Sequence, residues 1–295
     1  MTGYEGIYRN WIKGSAIIKT KIINLKTIEL QKFINSIPSA YTADRVYLLL
    51  STFFRYCIKE RLIVFNPLDN VNRPKYVSKA SQKYISREDR TKLLEAYKDD
   101  AKLFIYIFDL MTGLRIGELC ALTHADVDLK NNLIHVTKSL NRVTMYADDG
   151  TKSSQIVISN PKTKKGIREI PIPTNLIAPI KEHVLREKKK HFKLGIKFEP
   201  SNFFFTSNTC TAIRGDHLND YWKRKQAELN FEFVVVFHGL RHTFCTLLAE
   251  KGVPLKTAAV LMGHEKIETT AQIYTHVDKQ SQVEAIDLLS EIISF

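Results

Sequence analysis

Residues 112–119 read Thr-Gly-Leu-Arg-Ile-Gly-Glu-Leu, and this stretch decides how the rest of the chain is read. Upstream, Ser86-Arg87-Glu88-Asp89 resembles a capping box, with Ser86 accepting from the third helical amide, and it launches a helix holding Leu93, Leu94 and Tyr97. Helical patterning continues to about Leu122. Within the octet, the plain reading pairs Arg115 with Glu118 three residues on, a surface helix contact worth about a few tenths of a kcal/mol. Other stretches are equally dense in functional groups: Pro161-Lys162-Thr163-Lys164-Lys165-Gly166, His238-Gly239-Leu240-Arg241-His242, and Leu261-Met262-Gly263-His264 followed by Ile273-Tyr274-Thr275-His276. Singly, each has an ordinary account. Turn lysines are solvated, a histidine at a helix C-terminus suits the macrodipole, and most tyrosines are buried with a satisfied hydroxyl. His238 shares one helical face with Arg241 and His242. The second spacing can present two imidazoles to zinc, but no glutamate base lies between them and Arg241 would set a fixed positive charge beside a dication.

Outward from these stretches, periodicity divides the chain. Apolar residues recur at helical spacing over Lys26–Ile37 and Ala43–Ile63, where Val46, Leu49, Leu50, Phe53, Phe54, Cys57 and Ile58 make one face. Asn66-Pro67 is expected to stop the second helix, because proline disfavours helical geometry before it. Residues 1–75 read as a small helical domain, and the basic stretch 76–83 as an exposed linker able to lie along a phosphate backbone. Residues 84–277 form a second domain and 278–295 an amphipathic tail, with Val283, Ile286, Leu289, Ile292 and Ile293 on one side. Around Leu133–Val143 and Gln155–Pro173 the period becomes two, with Ile156, Ile158, Ile167, Ile170 and Ile172 flanking the basic turn. Helical patterns return over 174–190, 215–229, 240–251 and 255–263, with a short strand at Phe203–Thr206. The fold class is mainly α with a small antiparallel β-sheet.

Length and composition agree. At 295 residues, two domains are expected. No apolar run reaches the roughly 18–20 residues needed to span a bilayer, and the N-terminus lacks the apolar stretch of a secretory signal. Cys57, Cys120, Cys210 and Cys245 lie far apart, which suggests neither a disulfide framework nor a zinc module and points to a reducing cytosol. The net charge of +13 favours a polyanionic partner, nucleic acid or an anionic membrane. Its excess sits early: the first 80 residues hold 13 Lys and Arg against 5 Asp and Glu.

The ordered set of TGLRIGEL, a basic hairpin, HGLRH, LMGH and IYTHV resembles the tyrosine recombinase or phage integrase family. The likeness covers nearly the whole chain, the front resembling that family's core-binding domain and residues from about 84 its catalytic domain. It implies a catalytic set of Arg115, Lys162, His238, Arg241, His264 and Tyr274, with Lys164 as the alternative hairpin lysine and Glu118 orienting the first arginine. It implies double-stranded DNA as partner, a tetramer on DNA, accessory DNA-bending or directionality proteins, and a tail that docks into a neighbouring protomer. Packing of the tail in cis fits its periodicity nearly as well.

Those residue types suit strand transfer. Two guanidiniums match the charge gathering on a pentavalent phosphorus, a histidine titrating near neutrality can take the phenol's proton, and a lysine can protonate the leaving 5′ oxygen. Such chemistry needs no metal or cofactor, and the chain carries no GxxxxGK[ST] sequence. A type IB-like topoisomerase, or a non-catalytic DNA-binding protein on the same fold, are the competing expectations.

Overall fold

A computed structural model describes residues 3–76, 84–146, 151–161 and 164–274. Lys162, most of the basic segment 76–83 and the tail 278–295 lie outside the described residues. Two compact units are present, residues 1–80 with 144–153 and residues 81–143 with 154–295.

In the first unit, α1 (Gly3–Ile7) runs into a wider helical turn at Tyr8–Ile12, an element that the sequence pattern did not announce. Then come α2 (Thr27–Asn35) and α3 (Ala40–Lys59). The buried seam of α3 is Ala43, Val46, Leu50, Phe54 and Cys57, narrower than periodicity suggested. Phe53 and Ile58 flank it on opposite sides and stay exposed. The helix also ends before Asn66-Pro67: Arg61 turns left-handed at φ 56° and the Leu62 amide reaches back to the Cys57 carbonyl at 2.8 Å.

The second unit opens with α4 (Arg87–Tyr97), where Ser86 caps the Asp89 amide at 3.1 Å as its sequence predicts. Next, α5 (Phe104–Thr112) is apolar almost all round and lies in the core, and the short α6 (Ile116–Ala121) follows it. A three-stranded antiparallel sheet comprises β1 (Val127–Asp128), β2 (Leu133–Val136) and, after the two-stranded sheet of β3 (Ser139–Tyr146) and β4 (Lys152–Ser159), β5 (Arg168–Pro171). Ile134 faces Ile170, and Val136 faces Arg168. Ile167 is exposed and Arg168 takes the inward place beside Ile170, so the alternation starts one residue later than the isoleucines suggested. Ile156 and Ile158 on β4 are likewise exposed. Helices α7 (Thr174–Lys193), α8 (Gly215–Glu228), α9 (His238–Glu250), α10 (Leu255–Met262) and α11 (Ile267–Tyr274) complete the unit. Phe203 and Thr206 form single bridges to Thr123 and Ala212 instead of a strand.

The core of this unit packs Tyr106 of α5 on Trp222 of α8, rings 4.9 Å apart. Each donates to a backbone carbonyl, Tyr106 to Leu218 and Trp222 to Val235, so these buried polar atoms are satisfied. Rigid α5 thereby carries the 112–119 stretch at its C-terminal end. No helix among the described residues is long and apolar enough to cross a membrane.

Candidate active site

Gly113 ends α5 at φ 61°, a left-handed turn in which a Cβ would press into Phe244 at 2.3 Å. The turn brings Arg115 to the N-terminus of α6. There Glu118 accepts the Arg115 amide at 2.9 Å and its Nη1 at 2.7 Å. This is not a surface pair, since the Glu118 side chain is only 3% exposed. The guanidinium of Arg168 closes on the same carboxylate with Nη1 at 3.2 Å and Nη2 at 2.9 Å, and its hydrogen bond and charge hold Glu118 below the usual carboxylate range despite burial. One carboxylate thus serves two arginines.

The C-terminal end of α10 is the second organising element. The last carbonyls of a helix have no intrahelical partner and carry the negative end of its dipole. Here four basic side chains take them: Arg168 Nε donates to Leu261 at 2.7 Å, Arg241 Nη2 to Met262, Arg115 Nη2 to Gly263 at 2.8 Å, and Lys165 Nζ to Glu265 at 3.0 Å. Arg241 donates its other Nη to the Gly113 carbonyl. Two arginines that lie 126 positions apart in sequence are therefore held on adjacent peptide carbonyls. Arg241 is buried, and desolvation, then repulsion from Arg115 and Arg168, lowers its pKa to about 9, which still leaves it charged at neutral pH. Arg115 keeps 40% of its side chain exposed.

His238 starts α9 and packs edge-on against His242, ring centroids 4.8 Å apart. Burial, then the charges of Arg241 and Arg115, lowers its pKa, so it is a neutral imidazole rather than one titrating at neutrality. Gly263, at φ 60°, turns the chain out of α10 so that His264 follows with its amide on the Ala259 carbonyl. His264 Nδ1 pairs with buried Thr270 Oγ1 at 2.8 Å, which fixes the ring. Desolvation, then Arg241 and Arg115, lowers its pKa to about 4.

Tyr274, at the end of α11, is placed differently. Its hydroxyl donates to the Val253 carbonyl at 3.0 Å, and burial pushes the phenol up to about 12. Arg115, Arg241, His238 and His264 are thus gathered electrostatically, while the Tyr274 oxygen rests on the loop between α9 and α10. The sequence reading passed over Arg168, Thr270 and the carbonyls of 261–265. Arg168 carried a signal: it is a charged residue at the inward parity of an alternating strand.

Paired guanidiniums thus sit on one helix terminus, with two imidazoles in their field and a tyrosine on the adjoining helix. Over residues 83–281 the sequence matches the phage integrase family. A XerC-like tyrosine recombinase of Caldanaerobacter subterraneus subsp. tengcongensis is 32% identical, covering 98% of this chain and 77% of that protein. The integrase of Staphylococcus phage L54a is 28% identical over 94% of this chain and 86% of its own length. Among solved structures, the Tn1549 transposon integrase in complex with transposon right end DNA superposes with a TM-score of 0.77 at 23% identity, covering 98% of this chain and 92% of that one. The chain belongs to the phage integrase family, the tyrosine-type site-specific recombinases.

Proposed function

We propose that this protein cuts and rejoins double-stranded DNA through a 3′-phosphotyrosyl link at Tyr274, moving a mobile element into or out of its site. The carrying observation is the placement of Arg115 and Arg241 on the adjacent Gly263 and Met262 carbonyls. Two forks there can grip the non-bridging oxygens of one phosphate: Arg115 already presents an exposed edge, and Arg241, buried in this structure, meets the phosphate once DNA binding uncovers it.

In the step itself, the Tyr274 oxygen forms a bond to phosphorus as the bond from phosphorus to the 5′ oxygen breaks. The phenol proton passes to His238, whose imidazole is held neutral by burial and the neighbouring arginines and so has an open site. His264, fixed through Thr270, donates its other ring N–H to the phosphate. The 5′ oxygen takes its proton from Lys162, with Lys164 the alternative. Reversal with a 5′ hydroxyl from another strand conserves the ester and rejoins DNA. For attack, the phenol must exchange the Val253 carbonyl for His238.

The basic front domain expected over residues 1–75 supplies phosphate contacts, and the linker at 76–83 extends them. Recombination takes place in a tetramer on DNA in the cytoplasm, aided by accessory DNA-bending or directionality proteins, with the 278–295 tail joining protomers. Incubation with a nicked duplex that loses its 5′ fragment after cleavage tests the chemistry. A covalent adduct forms with the unsubstituted protein and vanishes with Tyr274→Phe; an adduct surviving that substitution refutes the nucleophile.

A further inference from the structure

Arg168 starts β5 at a position fixed by pairing with Val136, and its side chain is only 4% exposed. A guanidinium in such a place is strongly destabilising unless its donors are met and its charge is paired. Arg168 meets this with hydrogen bonds to three separate segments. Nη1 and Nη2 fork onto Glu118, Nε donates to the Leu261 carbonyl, and Nη1 also reaches the Gly166 carbonyl at 3.2 Å.

Two of these destinations lead to groups assigned to the phosphate. Glu118 is the carboxylate that holds the amide and Nη1 of Arg115. Leu261 lies in the last turn of α10, and the next two carbonyls in the chain hold Arg241 and Arg115. Gly166 closes the short helical turn Lys164–Gly166 that leads into β5. Close packing enforces the arrangement, because a Cβ on Gly263 would lie 2.9 Å from Arg168 Nη1 and 3.0 Å from the Lys165 carbonyl.

We propose that Arg168 is a positioning residue for strand cleavage, a buried hub that sets the Glu118 carboxylate, the α10 terminus and the hairpin turn in one register. It does not touch the phosphate; it holds in place the groups that do. The proposal rests on the reading of Arg115 and Arg241 given above. Its chemical requirement is the planar fork. A lysine keeps the charge but cannot bridge both carboxylate oxygens and the Leu261 carbonyl.

The test uses the full chain with Arg168→Lys, Arg168→Gln and Glu118→Gln, and each Arg168 variant combined with Glu118→Gln. Three quantities are read on one nicked duplex, below the lowest melting temperature: the single-turnover adduct rate at saturating protein, the DNA affinity, and the melting temperature. Arg168→Lys is expected to slow adduct formation about 10- to 100-fold, as for supporting residues elsewhere, with affinity within about threefold. In the Glu118→Gln background the further loss shrinks, because the part of the coupling that passes through that carboxylate is already gone, while the Leu261 and Gly166 contacts keep the rest. A folded Arg168→Lys protein cleaving at the unsubstituted rate overturns the proposal, and so does an equal loss in both backgrounds. Should the Arg168 variants fail to fold, Glu118→Gln decides: a normal rate overturns the proposal, and a slowed rate at unchanged affinity supports it. Tyr274→Phe run alongside keeps the two readings apart, since the comparison at position 168 can be made on whatever adduct the unsubstituted protein forms.

Discussion

Arg115 commits one Nη to Glu118 and the other to the Gly263 carbonyl, yet remains part-exposed, so its outer edge can meet a phosphate without being released from either anchor. Arg115→Lys loses the fork and at least one anchor. Strand cleavage should fall about 100- to 1000-fold in single-turnover assays, with DNA affinity nearly unchanged, as expected for a donor felt mainly in the transition state. His238 gives a pH expectation. Burial and the arginines hold its pKa below the ordinary 6.5, so the neutral form needed to accept a proton persists below that value. Cleavage measured against pH should therefore fall with a midpoint below the 6.5 of an ordinary imidazole, and a midpoint above it would contradict the assignment. Asp109 in α5 is fully buried with neither carboxylate oxygen hydrogen-bonded, and desolvation raises its pKa well above 3.8 against the pull of Arg241. The folded state then binds a proton that the unfolded chain releases above about pH 4, so stability falls as pH rises through that window. Asp109→Asn removes the penalty. Denaturant titrations should show its advantage over the parent growing as pH rises from 4 to 8; a constant difference would mean that the carboxylate has a partner.

At the scale of elements, two helices end in left-handed glycines, α5 at Gly113 and α10 at Gly263, and each delivers a site residue within two positions. The geometry follows from the absent Cβ: at Gly263 it would meet Arg168 and the Lys165 carbonyl, and the φ of 60° adds backbone strain. Gly263→Ala should cost about 1–2 kcal/mol from the conformation alone, read as a lowered melting temperature. It should also slow cleavage more than tenfold by shifting the carbonyl that Arg115 holds; a folded variant with parental rate would separate the turn from the chemistry. Much of this level could be read from the sequence. Ser86 capping α4 is a local signal obeyed locally. The end of α3 was misplaced because the Arg61 turn leaves little trace in a sequence where proline six positions later is the louder signal. The inward parity of β5 was missed because Ile167 looks like a core residue and Arg168 does not, and only the distant Glu118 makes the reversal favourable. The proposed catalytic set comes from motif resemblance. Its wiring does not, because the carbonyls of 261–265 are recognised by no side-chain pattern.

For the whole molecule, charge and chemistry should separate experimentally. The first 80 residues carry 13 basic against 5 acidic side chains, and a basic surface of this kind binds DNA largely by releasing counterions from phosphates. If about six phosphates are neutralised, affinity should drop about 1000-fold between 50 and 200 mM salt, measured by anisotropy on a labelled duplex. The groups proposed to act on the scissile phosphate sit in another setting. Arg241 is buried, and the distances that fix Arg115 and Arg168 are all hydrogen-bond lengths, far inside the roughly 8 Å over which physiological salt screens charge. Salt should therefore change how much protein is bound while leaving the adduct rate at saturating protein within about threefold. A rate that falls in step with affinity would mean that the cleavage groups are themselves assembled by long-range attraction to DNA rather than held in advance by Glu118 and the end of α10.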